Sequence, residues 1–171
     1  MKEQMRIELH NETEYTERIS FQDIWTHASK LKHVGCRVAA ITDRNSVDGI
    51  HMAEYEFMRR GIQPIYGVTL NCIDIDDRYD VVLLAANLTG RDNIFRLIEL
   101  LENNRFSFGH AITREQLDAH RKGILLGAAA KNGQIVRAIL HRRDQRYLET
   151  ITQDYDYLEF TSEPYDIAGT G

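Results

Sequence analysis

Residues 37–45 read Arg37-Val38-Ala39-Ala40-Ile41-Thr42-Asp43-Arg44-Asn45, and this stretch decides the fold. A short apolar run stops abruptly at polar residues, the pattern of a buried strand over 37–42 with Asp43 at its C-terminal end. Upstream, Ile24, Trp25, Ala28, Leu31 and Val34 recur at helical spacing, with Ser20 as N-cap and Gly35 as terminator. Downstream, residues 48–60 predict a second helix, closed by Gly61. Further strands are expected over 6–10, 63–73, 80–86, 123–130 and 156–160. Further helices are expected over 91–102, from a Thr113 cap to His120, over 133–141 and over 144–152. Strand and helix thus alternate about six times, which implies a parallel sheet covered by helices, either open and doubly wound or a barrel of β/α units. In both, chemistry gathers at the C-terminal ends of the strands.

Composition narrows the class. The chain has 171 residues, the size of one domain. At this length roughly 70% of the unfolded surface can be buried, enough for a core without disulfides. A hydrophobic fraction of 43% and a charged fraction of 27% exclude global disorder. No apolar run approaches about 18 residues, so no membrane span is expected, and the charged start is unlike a secretory signal. Cys36 and Cys72 fit no zinc spacing and read as small, reduced core residues of a cytoplasmic chain. The net charge of −5 argues against a main grip on nucleic acid, which needs a basic stripe. The pairs Arg59-Arg60 and Arg142-Arg143 fall at predicted helix ends, where they suit the dipole. No repeat or linker interrupts the sequence, so residues 1–171 are expected to form one domain, with 161–171 as a tail.

The strand ends supply the candidate site. Residues two apart on a strand share a face, so His10 and Glu12 can converge on one ligand. With Asp43 at the next strand end and Asp80 opening the fourth strand, these residues could hold a metal; polar residues at such ends also serve simply as turn formers. The other histidines lie on or beside predicted helices without paired spacing. Neither a Gly-rich phosphate loop nor a G-x-S-x-G elbow occurs.

Several stretches, in order, resemble the PHP (polymerase and histidinol phosphatase) domain, most closely that of DNA polymerase III alpha subunits of the PolC and DnaE types. Glu8-Leu9-His10-x-Glu12-Thr13 resembles that family's E-L-H-x-H-T, and Ala40-Ile41-Thr42-Asp43 its A-I-T-D-H. Gly61-Ile62-x-Pro64-Ile65-Tyr66-Gly67-Val68 is similar to G-I-K-x-I-Y-G-x-E. Asp80-Val81-Val82-Leu83-Leu84-Ala85-x-Asn87-x-Thr89-Gly90 is similar to H-V-x-L-L-A-x-N-x-T-G. Asn93-Ile94-Phe95-x-Leu97-Ile98, Gly123-Ile124-Leu125-Leu126-Gly127 and Tyr155-Asp156-Tyr157-Leu158-Glu159 continue the series. The resemblance implies a distorted (β/α) barrel. With about six parallel strands counted here and no closing motif, that barrel is expected to be C-terminally incomplete, leaving a sheet edge for a partner chain, a second copy or the tail. It also implies a site for up to three divalent metals in active members, which hydrolyse phosphoesters, and a structural role in others.

The departures from that pattern shape the expected function. His10 and Asp43 match ligand positions, whereas Glu12, Arg44, Thr69, Asp80 and Ala130 replace His, His, Glu, His and Cys. Glu12 and Asp80 could still ligate, with a preference for harder cations. Thr69 is a poor ligand and Ala130 none. Arg44 places a permanent positive charge where a cation would sit, and bare repulsion between +1 and +2 charges at about 4 Å is on the order of 10 kcal/mol. One reading is therefore a replaced metal site, with Arg44 among Glu12, Asp43 and Asp80; the other has Arg44 reaching solvent from a surface loop. The function expected is a degenerate PHP-like module in DNA replication, without catalysis or cofactor. It would contact replicase subunits or a proofreading exonuclease, and DNA only indirectly. The alternative is a metal-dependent phosphoesterase or 3′–5′ exonuclease using manganese, zinc or magnesium on His10, Glu12, Asp43 and Asp80. A third reading takes the motifs as echoes within an unrelated β/α enzyme.

Overall fold

The computed structural model describes residues 6–16, 23–75 and 77–161. Among them are seven strands and six helices: β1 (Arg6–Glu8), α1 (Ile24–His33), β2 (Cys36–Ile41), α2 (Ile50–Met58), β3 (Gln63–Asp74), β4 (Asp77–Ala85), α3 (Leu88–Asn103), β5 (Ile112–Thr113), α4 (Arg114–Ala119), β6 (Ile124–Ala128), α5 (Gln134–Leu140), α6 (Gln145–Thr152) and β7 (Tyr157–Leu158). The sheet runs β1-β2-β3-β4-β6-β7, with β5 attached to β3.

The expectation of about six parallel strands is corrected. β1–β2, β2–β3, β3–β5 and β6–β7 are parallel, but β3–β4 and β4–β6 are antiparallel. The reason lies in connection length. β3 and β4 pair from Gly67↔Leu84 to Asp74↔Asp77, so only two residues join them. A parallel return needs a crossover of about a dozen residues or more, whereas two suffice for a hairpin. The result is a curled, mixed sheet.

Both faces of the curled sheet are covered, which is why its strands read as unbroken apolar runs. On β4, Val81 and Leu83 join a core with Val68, Leu70, Ile94, Leu97 and Leu126, beneath α3. Val82 and Leu84 face the other way, with Ala40 and Ala129, against Ile65 and Tyr157. α1, α2 and β2 enclose a third cluster around Ile24, Ala28, Ala53 and Phe57. Both cysteines are free and buried, and burial pushes the Cys72 thiol up to about 11. No described helix is long and apolar enough to cross a membrane.

Local signals set the helix starts. Asp23 caps α1 by accepting from the Thr26 N–H at 2.8 Å. The Ser20 expected there lies outside the described residues. Thr113 and Gln116 form the capping box that opens α4. Asn87 caps α3 by accepting from the Gly90 N–H, and a Cβ on Gly90 would stand 1.7 Å from the Gly123 carbonyl oxygen. Gly123 holds φ at 77°, so neither backbone can yield. Gly90→Ala should therefore destabilise the protein by about 3 kcal/mol, read as a lowered denaturation midpoint, while Thr89→Ala beside it stays within about 0.5 kcal/mol.

Candidate functional site

The C-terminal ends of β1, β2 and β7 meet at a cleft of ≈ 660 Å³ lined by His10, Glu12, Arg44, Thr69, Lys131 and Glu159, among others. β1 and β7 are the outer strands of the sheet, so the cleft lies on the seam between its two edges.

Asn11 fixes the first wall. Its backbone exchanges bonds with Thr42, its amide donates to the Ala40 carbonyl at 2.8 Å, and its carbonyl oxygen meets His27 Nε2 at 2.9 Å. With Asn11 turned inward, His10 and Glu12 on either side of it turn toward the cleft, the alternation expected of extended backbone. His10 Nδ1 lies 2.8 Å from Glu159 Oε2, and its Nε2 lies 3.7 Å from Glu12 Oε1. The imidazole is thus held between two carboxylates, one per nitrogen. Burial alone would lower its pKa, but Glu12 and Glu159 outweigh that and hold it up to about 9. The same pairing with His10 lowers the pKa of Glu12.

Asp43 looks elsewhere. It is 1% exposed, and both oxygens are taken by the 13–16 turn: Oδ1 by the Thr13 N–H and the Thr16 hydroxyl, Oδ2 by the Thr13 hydroxyl. Its structural effect is to pin the loop after β1 to the end of β2.

Asp80 forms a third group. It is 2% exposed and accepts a bidentate pair from Arg44, at 2.7 and 2.6 Å, plus the Asn71 amide. Arg44 is positioned by β2 continuing alongside β3: Thr69 N–H donates to the Asp43 carbonyl and Asn45 N–H to the Thr69 carbonyl. The Thr69 hydroxyl is spent on the Thr42 carbonyl. The bond to Asp80 raises the pKa of Arg44 further, so the guanidinium stays charged. Arg44 therefore turns inward rather than reaching solvent.

The four expected ligands consequently stand as three separately partnered groups. His10 and Glu12 share the seam, Asp43 serves a turn, and Asp80 holds Arg44. Among the described residues no three His, Cys, Asp or Glu side chains are grouped to hold a metal ion. Glu159 was missed as a site residue, although it lies just past β7 and the strand-end rule that flagged Glu12 would have found it. One of its oxygens, Oε1, is buried without a partner.

Two measurements follow from this geometry. His10 should titrate near pH 9 by NMR, and Glu159→Gln should bring it down. Because the folded pKa is raised, the stabilisation is complete below about pH 6.5 and is lost as pH climbs through about 9. Arg44→Met leaves the buried Asp80 carboxyl without its guanidinium, and should cost about 3–5 kcal/mol in denaturant unfolding, most of it regained in the Arg44→Met/Asp80→Asn double variant.

The comparisons with known proteins agree with this architecture. The PHP domain family model matches residues 8–162. DNA polymerase III PolC-type of Bacillus subtilis is 36% identical over 81 residues, covering 47% of this chain and 6% of the polymerase. DNA polymerase III subunit alpha of Helicobacter pylori is 26% identical over 135 residues, covering 74% of this chain and 11% of that subunit. The chain thus corresponds to a small part of either polymerase. A candidate metal-dependent phosphoesterase from Bifidobacterium adolescentis superposes with a TM-score of 0.58 at 13% identity, over 91% of this chain and 77% of that one, which extends the likeness to the fold. The motifs are accordingly no echo within an unrelated enzyme: the chain belongs to the PHP domain family.

Proposed function

We propose that this chain is one PHP unit, residues 1–171 with 161–171 as a tail, that serves DNA replication as a structural or interaction module without catalysis. The observation that carries this is the Arg44–Asp80 pair. A guanidinium makes two bonds to a carboxylate 2% exposed, and both residues stand at positions where the resembled motifs carry histidine. In this reading His10, Glu12, Asp43 and Asp80 are remnants of a ligand set, modified by Arg44 and Thr69. Each remnant has taken a protein partner. Resemblance to the polymerase III subunits supports a replicase context, and hence a cytoplasmic location, with a replicase subunit or a proofreading exonuclease as partner and DNA reached only through them. The acidic balance of −5 favours contacts with protein over a direct grip on DNA.

One observation favours a second reading, a metal-dependent phosphoesterase. Glu159 Oε1 is buried without a partner in the wall of the cleft, beside His10 and Glu12. A buried unpaired carboxylate oxygen is what a cation site would retain. Calorimetric titration with manganese and zinc, together with a 3′-labelled single-strand cleavage assay in manganese, separates the two. The structural reading expects neither stoichiometric binding nor turnover. Tight one-to-one binding with cleavage that His10→Ala abolishes would establish the second.

A further inference from the structure

The outward side of α1 and α2 carries a feature that the cleft does not explain. α2, Ile50 to Met58, buries Ile50, Ala53 and Phe57, yet its opposite face presents Met52, Tyr55 and Met58, each more than half exposed. Trp25 on α1, 58% exposed, stands beside them. A helix that is apolar on both faces is normally covered on both.

The polar groups around these side chains are ordered in advance. Arg60 lies over the Trp25 ring at 5.6 Å, and Arg59 over the Tyr55 ring at 5.8 Å. Both arginines meet the Glu56 carboxylate, which is 6% exposed, and Arg60 also donates to the Ser29 hydroxyl at 3.0 Å. The row therefore runs Trp25, Arg60, Glu56, Arg59, Tyr55, with one carboxylate between two guanidiniums and a net positive charge. Trp, Tyr, Met and Arg are the residues enriched in the energetic centres of protein interfaces. Fixing them before contact removes part of the ordering cost of association. The neighbouring end of α1 adds Lys32, whose Nζ approaches Gly61 just past α2. In a chain of net charge −5, the row of Arg59, Arg60 and Lys32 around the single Glu56 carboxylate is locally positive.

We infer that the α1–α2 face docks a partner polypeptide whose apolar anchors are flanked by carboxylates. A second copy fits poorly, since it would bring two cationic faces together. Single-stranded nucleic acid is less favoured as well: a base stacks on ring faces, and a guanidinium already covers one face of each ring.

Trp25 is the only tryptophan, so its emission reports this face alone. The test titrates the whole chain with an amphipathic helical peptide bearing leucines on one face and glutamates beside them. The same peptide with lysines for glutamates, and an oligo-dT, serve as competitors in kind. The expected result is a saturable blue shift with the glutamate peptide, weakened by salt and weakened about tenfold in Arg59→Glu and in Tyr55→Ser, with unchanged circular dichroism. An emission spectrum unmoved by the glutamate peptide overturns the inference. So does an equal response to the lysine peptide or to oligo-dT, or a Trp25 shift that follows protein concentration by itself, which would mark a second copy as the occupant.

Discussion

A single twelve-residue strand joins the parallel and the antiparallel parts of one sheet. The first four residues of β3, Gln63 to Tyr66, pair in parallel with β2; from Gly67 onward the same strand pairs antiparallel with β4. The exchange of partners happens at Gly67, where a Cβ would stand 2.8 Å from Leu84, 2.9 Å from the Leu83 carbonyl and 2.9 Å from Thr42. No side chain fits at the point where three strands converge. Everything else follows from this junction: the parallel half carries α1 and α2 over one cluster, the antiparallel half carries α3 over another, and the interior of the curl is left to Ala40, Val82, Leu84 and Ala129.

The site inherits its character from the same junction. β2 ends one residue before Thr42 and Asp43, and its backbone keeps pairing with Thr69 on β3. That places the Arg44 side chain within reach of Asp80 inside β4. Asn45, at φ 53°, turns the chain away while exchanging side-chain bonds with Asn71. Asp80 is buried because β4 is covered on both faces, so its charge requires a partner inside the protein. Arg44 is within reach and bidentate. A chain of local necessities thus converts a row of polar strand ends into a closed hydrogen-bonded set, beside which His10, Glu12 and Glu159 line the cleft at the seam.

Much of this was legible in the sequence, and the parts that were not have physical causes. The strands over 37–42, 63–73 and 123–130, and the helices after the first and last of them, were announced by apolar runs and chain-terminating residues, because burial on both faces leaves unbroken apolar stretches. The direction of β4 was misread because apolar runs carry no sense of direction; the few residues between Ile73 and Asp80 were the available clue. β5 has two residues and no pattern to detect. His10 and Glu12, two residues apart, both line the cleft. The separation of Asp43 from them could not be foreseen, since it depends on Thr13 and Thr16 folding back across the end of β2. Glu159 is distant in sequence from His10 by 149 positions, and only the curl of the sheet brings them together.

The Arg44–Asp80 pair has a thermodynamic corollary. A carboxylate neutralised by a dissociable ion makes stability a function of that ion's free concentration, through the logarithm of its ratio to a dissociation constant. A carboxylate neutralised by a residue of its own chain has no such dependence, because the partner's effective concentration is fixed by connectivity. In the proposed reading, then, Asp80 makes the stability of this fold independent of chelators and of the supply of divalent ions. What it gives up in exchange is reversibility: the charge that holds the end of β2 against the start of β4 cannot be withdrawn without altering the polypeptide itself.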